Sequence, residues 1–178
     1  MDSYAVFLRG INVGGINIRM AALKEALESR PFSGVQTLLA SGNAVLASGL
    51  DPAGVKAEAE ACLRESFGYD AWVVVLPAAR VAGLVAACPY PPDDAATHTY
   101  LTLASDPDVL AELYEAGCAL GGTAPALLGP EAISWLAPVG GTLESPISKL
   151  CASPKYKAAI TTRNLRTMIK VRDAAAAL

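Results

Sequence analysis

Short apolar runs alternate with amphipathic stripes along the first 77 residues of the chain. Apolar runs bounded by turn residues predict strands, and apolar positions spaced three and four apart predict helices. In order, we predict a strand over Tyr4–Arg9, a helix over Arg19–Arg30, strands over Val35–Ala40 and Asn43–Ser48, a helix from Asp51 to Phe67, and a strand over Ala71–Leu76. The order β-α-β-β-α-β is that of a ferredoxin-like domain.

The second predicted helix carries its own start and stop signals. Asp51 followed by Pro52 is an N-cap with proline at the first helical position, and Gly68 is placed to end the helix. The spacing assigns one face of this helix to the core, with Val55, Ala59, Cys62 and Leu63 buried.

The second half repeats this kind of pattern without a residue-level repeat. We predict a helix over Ala78–Cys88, a turn-rich loop over Pro89–Thr97, a strand over His98–Leu103, a helix over Ser105–Gly117, short strands over Pro125–Leu128 and Ala132–Ala137, and a final helix after Thr161–Asn164. The predicted fold class is therefore α+β, with two ferredoxin-like subdomains and mostly antiparallel sheets that carry helices on one face. Their bounds are residues 1–77 and 78–178, the second with a basic C-terminal helix.

Composition restricts the class of protein. With 178 residues, 53% of them hydrophobic and 17% charged, the chain is globular rather than disordered. The longest apolar helix, Ala78–Cys88, is too short to span a bilayer and contains Arg80, so we expect no membrane association. The N-terminus has no basic start and no small-residue cleavage site, which predicts a cytoplasmic location. The four cysteines form no CxxC pair and His98 is the single histidine, so no metal site is predicted and no cofactor is indicated.

Charge is distributed unevenly along the chain. The net charge is −3, yet the segment from Lys149 to Arg172 holds seven basic residues and no acidic one. In an acidic protein, one basic segment favours a local site for an anion over a surface that coats nucleic acid.

The motif LRGINVGG at residues 8–15 follows the first strand and precedes the first helix. It matches neither the dinucleotide fingerprint nor the phosphate loop of nucleotide hydrolases, although it shares their strand–glycine loop–helix context. Arg9, Asn12, Gly14 and Gly15 are candidate ligand contacts. The alternative is that these glycines only make the turn.

Two further segments complete the predicted site. In the ferredoxin-like topology the turn Ser41-Gly42-Asn43 lies at the same end of the sheet as the glycine loop, so Ser41 and Asn43 become candidates, although such a turn is also ordinary hairpin chemistry. Near the C-terminus, Thr162 or Asn164 is a natural N-cap, and Arg163 beside a helix start suits a carboxylate or phosphate. The alternative there is a solvated basic face.

Other polar residues are weaker candidates. Ser148 and Lys149 are adjacent on a predicted helix and do not face one another, so they form no serine–lysine pair. No partner for His98 is marked in the sequence. We expect the pair Asp93–Asp94, in a proline-rich loop, to be solvated.

Taken together, these motifs resemble the bacterial domain of unknown function 1697 family. The resemblance rests on Leu8–Gly15, Met20–Leu23, Ser41–Asn43 and Thr161–Asn164, with Ser148–Lys149 as a weaker match. It implies two ferredoxin-like subdomains and no established activity. Two positions depart from the family: Ile16 stands where many members have a basic residue, and Leu165 where many have an aromatic one.

From these observations we expect a small anionic ligand, bearing phosphate or carboxylate, at a composite site between the subdomains. The expected contacts are Arg9, Asn12, Gly14, Gly15, Ser41, Asn43, Arg163 and Asn164, with Thr162, Ser148 and Lys149 as weaker ones. Binding is better supported than catalysis, because no nucleophile–base pair is evident. Two alternatives stay open: a nucleic-acid-binding module, disfavoured by the acidic pI and the absence of an RNP1 pattern, and a homodimeric scaffold without catalysis.

Overall fold

The computed structural model describes residues 1–12 and 16–178 of the chain. It divides into two compact units, the first made of residues 1–82 and 170–178 and the second of residues 83–169. The strands are β1 (Asp2–Leu8), β2 (Ser33–Leu38), β3 (Asn43–Ser48), β4 (Val73–Pro77), β5 (Thr97–Ala104), β6 (Ala126–Gly129), β7 (Ala132–Pro138) and β8 (Ile160–Asn164). The helices are α1 (Met20–Glu28), α2 (Pro52–Phe67), α3 (Ala78–Ala87), α4 (Pro107–Ala119), α5 (Pro146–Cys151) and α6 (Leu165–Ala176).

The first unit contains an antiparallel four-stranded sheet in the order β2-β3-β1-β4. In β1, Ala5 lies opposite Val45 on one side and Leu76 on the other. The alternate residues of β1 join α1 and α2 in one core, whose fully buried members include Val6, Leu23, Leu46, Val55 and Leu63. The ferredoxin-like order predicted from the sequence is confirmed for this half.

Helix α2 forms where the sequence signals predict it. The Asp51 carboxylate accepts a hydrogen bond of 2.7 Å from the Gly54 N–H, and Gly68 ends the helix in the left-handed region at φ 67°. The predicted apolar face is buried, from Val55 to Leu63. Local capping therefore sets the two ends of this helix, and the spacing of apolar side chains sets the face that packs in the core.

The second unit has the same architecture in the order β6-β7-β5-β8. Helices α4 and α5 pack on one sheet face, with Leu110, Leu113, Ile133 and Trp135 in the core. The sequence interpretation is corrected at one element, because Thr161–Asn164 lies in strand β8 rather than only capping the final helix. This five-residue strand lies at the edge of its sheet and pairs with β5. Its two threonines and its arginine show no apolar alternation, and for that reason the sequence pattern does not predict a strand here.

Matching hydrogen bonds define equivalent positions in the two units. Leu8 N–H donates to the Gly42 carbonyl at 2.9 Å, and Ala104 N–H donates to the Glu131 carbonyl at 2.9 Å. The residues that follow make a second equivalent pair of hydrogen bonds: Arg9 N–H donates to the Trp72 carbonyl at 3.1 Å, and Ser105 N–H donates to the Ala159 carbonyl at 2.8 Å. Each unit is therefore an internal reference that shows what the fold requires of the other.

One outer strand of each sheet, β2 and β6, is irregular. The β2–β3 ladder shifts register between Ser33 and Gln36, and the β6–β7 ladder shifts between Leu127 and Gly129. Bulges of this kind hinder the addition of a further strand at a sheet edge. They give no support to a dimer formed through β2 or β6.

Two expectations about class can be compared with the described residues. Among the helices of residues 1–12 and 16–178, none is both long enough and apolar enough to cross a bilayer. All four cysteines are free thiols; Cys62 and Cys151 are buried, whereas Cys118 is exposed and so does not serve as a core residue.

Candidate functional site

One rim of the first sheet is longer than the fold requires. The connection from β1 to α1 takes 11 residues, 9–19, whereas the equivalent connection from β5 to α4 takes two, Ser105 and Asp106. The hairpin turn is also longer, with four residues (39–42) between β2 and β3 against two (130–131) between β6 and β7. We call the described residues of 9–19 and 39–42 the first-unit rim. The second unit shows that this topology closes without such additions.

The glycine loop and the hairpin turn are in contact, as the topology predicts. The Asn12 Nδ2 donates to the Ala40 carbonyl at 2.6 Å, and Leu8 N–H bonds to Gly42 across the same rim. Residues nearly 30 positions apart are thus joined by the side chain of Asn12, one of the candidate ligand contacts.

Asn12 also organises its own loop. The Asn12 side-chain oxygen accepts a hydrogen bond of 3.0 Å from Ile18 N–H, and the Asn12 backbone N–H donates to the Ile16 carbonyl at 2.5 Å. Asn12 has φ 56° and Leu39 has φ 58°, and these are the two non-glycine residues with positive φ in the described part of the chain. Backbone strain of this kind collects at functional loops, and here both instances lie on the first-unit rim.

Gly42 fits closely against the loop. A Cβ atom at this position would lie 2.6 Å from Ile11 Cδ1 and 3.0 Å from Leu8 Cβ, and the backbone has φ 80°. Ile11 is 4% exposed, so the loop is fixed by an apolar anchor under the turn as well as by Asn12. Only glycine combines this conformation with this clearance.

The remaining candidates of the first unit occupy the same rim. Asn43 is fully buried and donates from Nδ2 to the Leu38 carbonyl at 2.9 Å and to Ser41 Oγ at 3.1 Å. Arg9 is half-buried directly after β1. Gly14 and Gly15 lie outside the described residues. Hydrogen bonds therefore join Asn12, Ser41 and Asn43 to the loop and the turn of this rim, and Arg9 follows β1 at the same end of the sheet.

Arg163 lies in β8, opposite Leu101, with only 6% of its surface exposed. Its Nη1 donates to Thr161 Oγ1 at 2.7 Å and to the Thr162 carbonyl at 2.8 Å. The register makes Leu76 its equivalent in the first unit, and Leu76 is also 6% exposed. The fold thus accepts a leucine where the second unit buries a guanidinium, whose desolvation is costly.

The neighbours of Arg163 have structural partners. Thr162 shares a hydrogen bond of 2.8 Å with Thr102 Oγ1, which also accepts from Trp135 Nε1 at 2.9 Å. The Asn164 side-chain oxygen accepts from Arg166 N–H at 2.8 Å, so Asn164 caps the start of α6 as one of the two predicted candidates.

The expectation that Asp93 is merely solvated is wrong. Its side chain is 15% exposed, and Oδ1 lies 2.7 Å from His98 Nδ1 and accepts from Asn164 Nδ2 at 3.4 Å. Arg166 Nε lies 2.6 Å from Oδ2 in an ion pair. Burial raises the pKa of Asp93, but the hydrogen bonds from His98 and Asn164 and the charge of Arg166 outweigh it and lower that pKa. The sequence gives no signal for this cluster beyond two polar residues five positions apart, because its other members come from β8 and α6.

Ser148 and Lys149 lie on α5 and do not form a catalytic pair. Ser148 N–H donates to the capping Ser145 Oγ, and Lys149 pairs with Glu144 at 3.0 Å on the exposed surface. Other cations of the basic segment are also matched, since Lys155 pairs with Glu112 and Arg172 with Asp173. Much of the sequence asymmetry in charge is thus compensated locally in three dimensions. Within the described residues, no group of three or more histidine, cysteine or acidic side chains is placed to hold a metal ion.

Comparison with known proteins places this fold. The chain is similar to the conserved bacterial protein SP0830 from Streptococcus pneumoniae, with a TM-score of 0.79, 19% sequence identity and 98% of each chain covered. At that identity the likeness concerns the fold alone. No curated protein matches the sequence. Residues 1–119, which include the first-unit rim, match the model of the protein family of unknown function DUF1697, and the chain therefore belongs to that family.

Proposed function

We propose that this protein binds a small anionic ligand, bearing phosphate or carboxylate, at the first-unit rim. The observation that carries the proposal is the 11-residue connection between β1 and α1, which the second unit makes with two residues. Ile11 and Ile18 of this connection pack in the core, and the rest of it, which begins with an arginine directly after a strand, is more chain than the same topology uses in the second unit.

The first-unit rim has the chemistry that an anion requires. Arg9 supplies a guanidinium, which suits carboxylate and phosphate oxygens. Gly10, with φ 73° and nothing within 4 Å of a Cβ at that position, leaves open space beside the backbone. Asn12 and Gly42 hold the loop and the turn together, so the site is built before a ligand arrives.

Arg163 is a second candidate cation, in the place where the equivalent unit has Leu76. Its guanidinium has the geometry that carboxylate and phosphate oxygens accept. We keep Arg163 and Asn164 as predicted contacts and test Arg163 with its own variant.

A thermal-shift screen tests the proposal with inorganic phosphate, nucleotides, sugar phosphates, acyl-CoA and small dicarboxylates. Any anion that stabilises the wild type is then titrated calorimetrically against R9A, R9K and the control R172A. Arg172 is partly exposed and its substitution changes the net charge equally. Removing a charge-assisted contact at R9A is expected to weaken binding by about tenfold or more, whereas R172A should change binding by less than about twofold. No stabilised complex, or equal effects of R9A and R172A, would refute the proposal.

Arg163→Leu is the matched variant for the second unit, because it installs the residue that the first unit carries at the equivalent position. We expect this variant to bind the anion more weakly, and thermal unfolding without ligand measures separately what the loss of the hydrogen bonds to Thr161 and Thr162 costs. Unchanged binding would remove Arg163 from the set of ligand contacts without affecting the result for Arg9.

A further inference from the structure

Asp93 holds an exposed arginine in an unusual way. Arg166 Nε lies 2.6 Å from Asp93 Oδ2, while the Arg166 side chain is 64% exposed and Asp93 is 15% exposed. The contact is an ion pair that lacks hydrogen-bond geometry, since Asp93 Oδ2 is buried without a hydrogen-bond partner among the described residues. The inner nitrogen is the part of the guanidinium nearest to the carboxylate, and the two terminal nitrogens form its outer edge.

The carboxylate is the fixed partner in this pair. Asp93 Oδ1 lies against His98 Nδ1 from β5 and accepts from Asn164 Nδ2 at the end of β8. The backbone of Arg166 is held as well, because its N–H donates to Asn164 Oδ1. A long and mobile side chain is therefore restrained at both ends, which lowers the entropy that binding would otherwise cost.

We infer that Arg166 is a further anion contact and that Asp93 is its positioning residue. The inference rests on the proposed function, since it names one more group that would hold the same class of ligand. An anion would accept hydrogen bonds from the two terminal nitrogens of Arg166 while the inner nitrogen stays with Asp93. A lysine cannot present two parallel N–H groups to the anion while a third stays with Asp93, because its ammonium group lacks the planar fork of a guanidinium.

The test separates positioning from simple charge. Removing a negative charge near an anion site ordinarily tightens anion binding. If Asp93 positions Arg166, D93N should instead weaken binding of inorganic phosphate. The matched control is D94N, which changes the net charge equally in the same loop, where the Asp94 side chain accepts from Ala96 N–H and Thr97 N–H.

Phosphate binding is measured by calorimetry and by the ³¹P line width on the full-length protein and four variants. We expect D93N and R166Q to weaken binding by roughly fivefold, R166K to weaken it nearly as much, and D94N to leave it unchanged or tighter. The R166 variants alter an exposed side chain, so they remain informative if D93N folds poorly. The ring signals of the single histidine report whether the cluster is intact in each variant.

The outcomes distinguish the two levels of the argument. Suppose that the wild type binds phosphate. If D93N and D94N then have equal affinity for phosphate, or if R166K binds as tightly as the wild type, the role of this pair is overturned and the first-unit rim is left as the site. A wild-type protein that binds no phosphate overturns this inference, and the wider anion panel then decides the proposed function on its own.

Discussion

Gly42→Ala is the sharpest test of how the first-unit rim is built. The new methyl group would lie 2.6 Å from Ile11 Cδ1, 2.9 Å from Ile11 Cγ1 and 3.0 Å from Leu8 Cβ, at a backbone φ of 80°. Ile11 can move its tip, but Leu8 is fixed in β1. The substitution therefore combines two costs that can be estimated separately.

The left-handed backbone costs an alanine about 1–2 kcal/mol, and overpacking of a filled site costs about 1–3 kcal/mol. Their sum predicts a loss of about 2–5 kcal/mol in the free energy of unfolding, which in a chain of this size lowers Tm by roughly 4–20 °C. Displacement of Ile11 should also move the loop that carries Arg9, and so weaken anion binding.

Gly10→Ala is the matched control. Its φ is 73°, close to that of Gly42, and nothing lies within 4 Å of the added methyl group. We expect it to lose only the conformational part, about 1–2 kcal/mol. Urea unfolding followed by tryptophan fluorescence and far-UV circular dichroism measures both variants. If G42A is no less stable than G10A, the close packing of turn against loop does not contribute as described.

Three further outcomes follow from single positions. Gly83→Ala in α3, where nothing lies within 4 Å of the new Cβ, should raise the free energy of unfolding by about 0.5–1 kcal/mol, and a loss in thermal unfolding would contradict an unstrained helical site. Thr102→Val removes the acceptor of Trp135 Nε1 and a partner of Thr162, and should cost about 1–3 kcal/mol in urea unfolding; an unchanged midpoint would show that these groups find other partners. The pKa of Asp93 is lowered in the folded state, so its stabilisation is present above its ordinary value of 3.8 and is lost as pH falls through the folded pKa. Acid unfolding should therefore show a wild-type advantage over D93N that is full above the ordinary value of 3.8 and declines as the pH falls through the folded pKa, and an advantage that grows as the pH falls would contradict the sign.

The local elements could be predicted from the sequence because their causes are local. Asp51, Pro52 and Gly68 start and end α2, and the spacing of Val55 and Leu63 buries one face. The contact between the glycine loop and the Ser41–Asn43 turn was also predictable, since the order of elements alone brings those connections to one end of the sheet.

Other features depended on partners that the sequence does not mark. Strand β8 is stabilised by pairing with β5 rather than by an apolar alternation of its own. Its sequence of threonine, arginine and asparagine therefore looks like the start of a helix. The Asp93 cluster gathers side chains from a loop, β5, β8 and α6, and the compensation of the basic segment uses acids such as Glu112 that lie more than 40 positions earlier.

The sequence by itself determined the order of elements, the helix ends and the rim at which the candidate loops meet, because propensity, capping and chain order act over short distances. Only the tertiary structure decided that Arg163 is buried at a leucine-equivalent position and that Asp93 holds Arg166. It also showed that the β1–α1 connection is nine residues longer than its counterpart. Burial and side-chain pairing depend on residues distant in sequence, and the matching strand order of the two sheets is what makes the two connections equivalent.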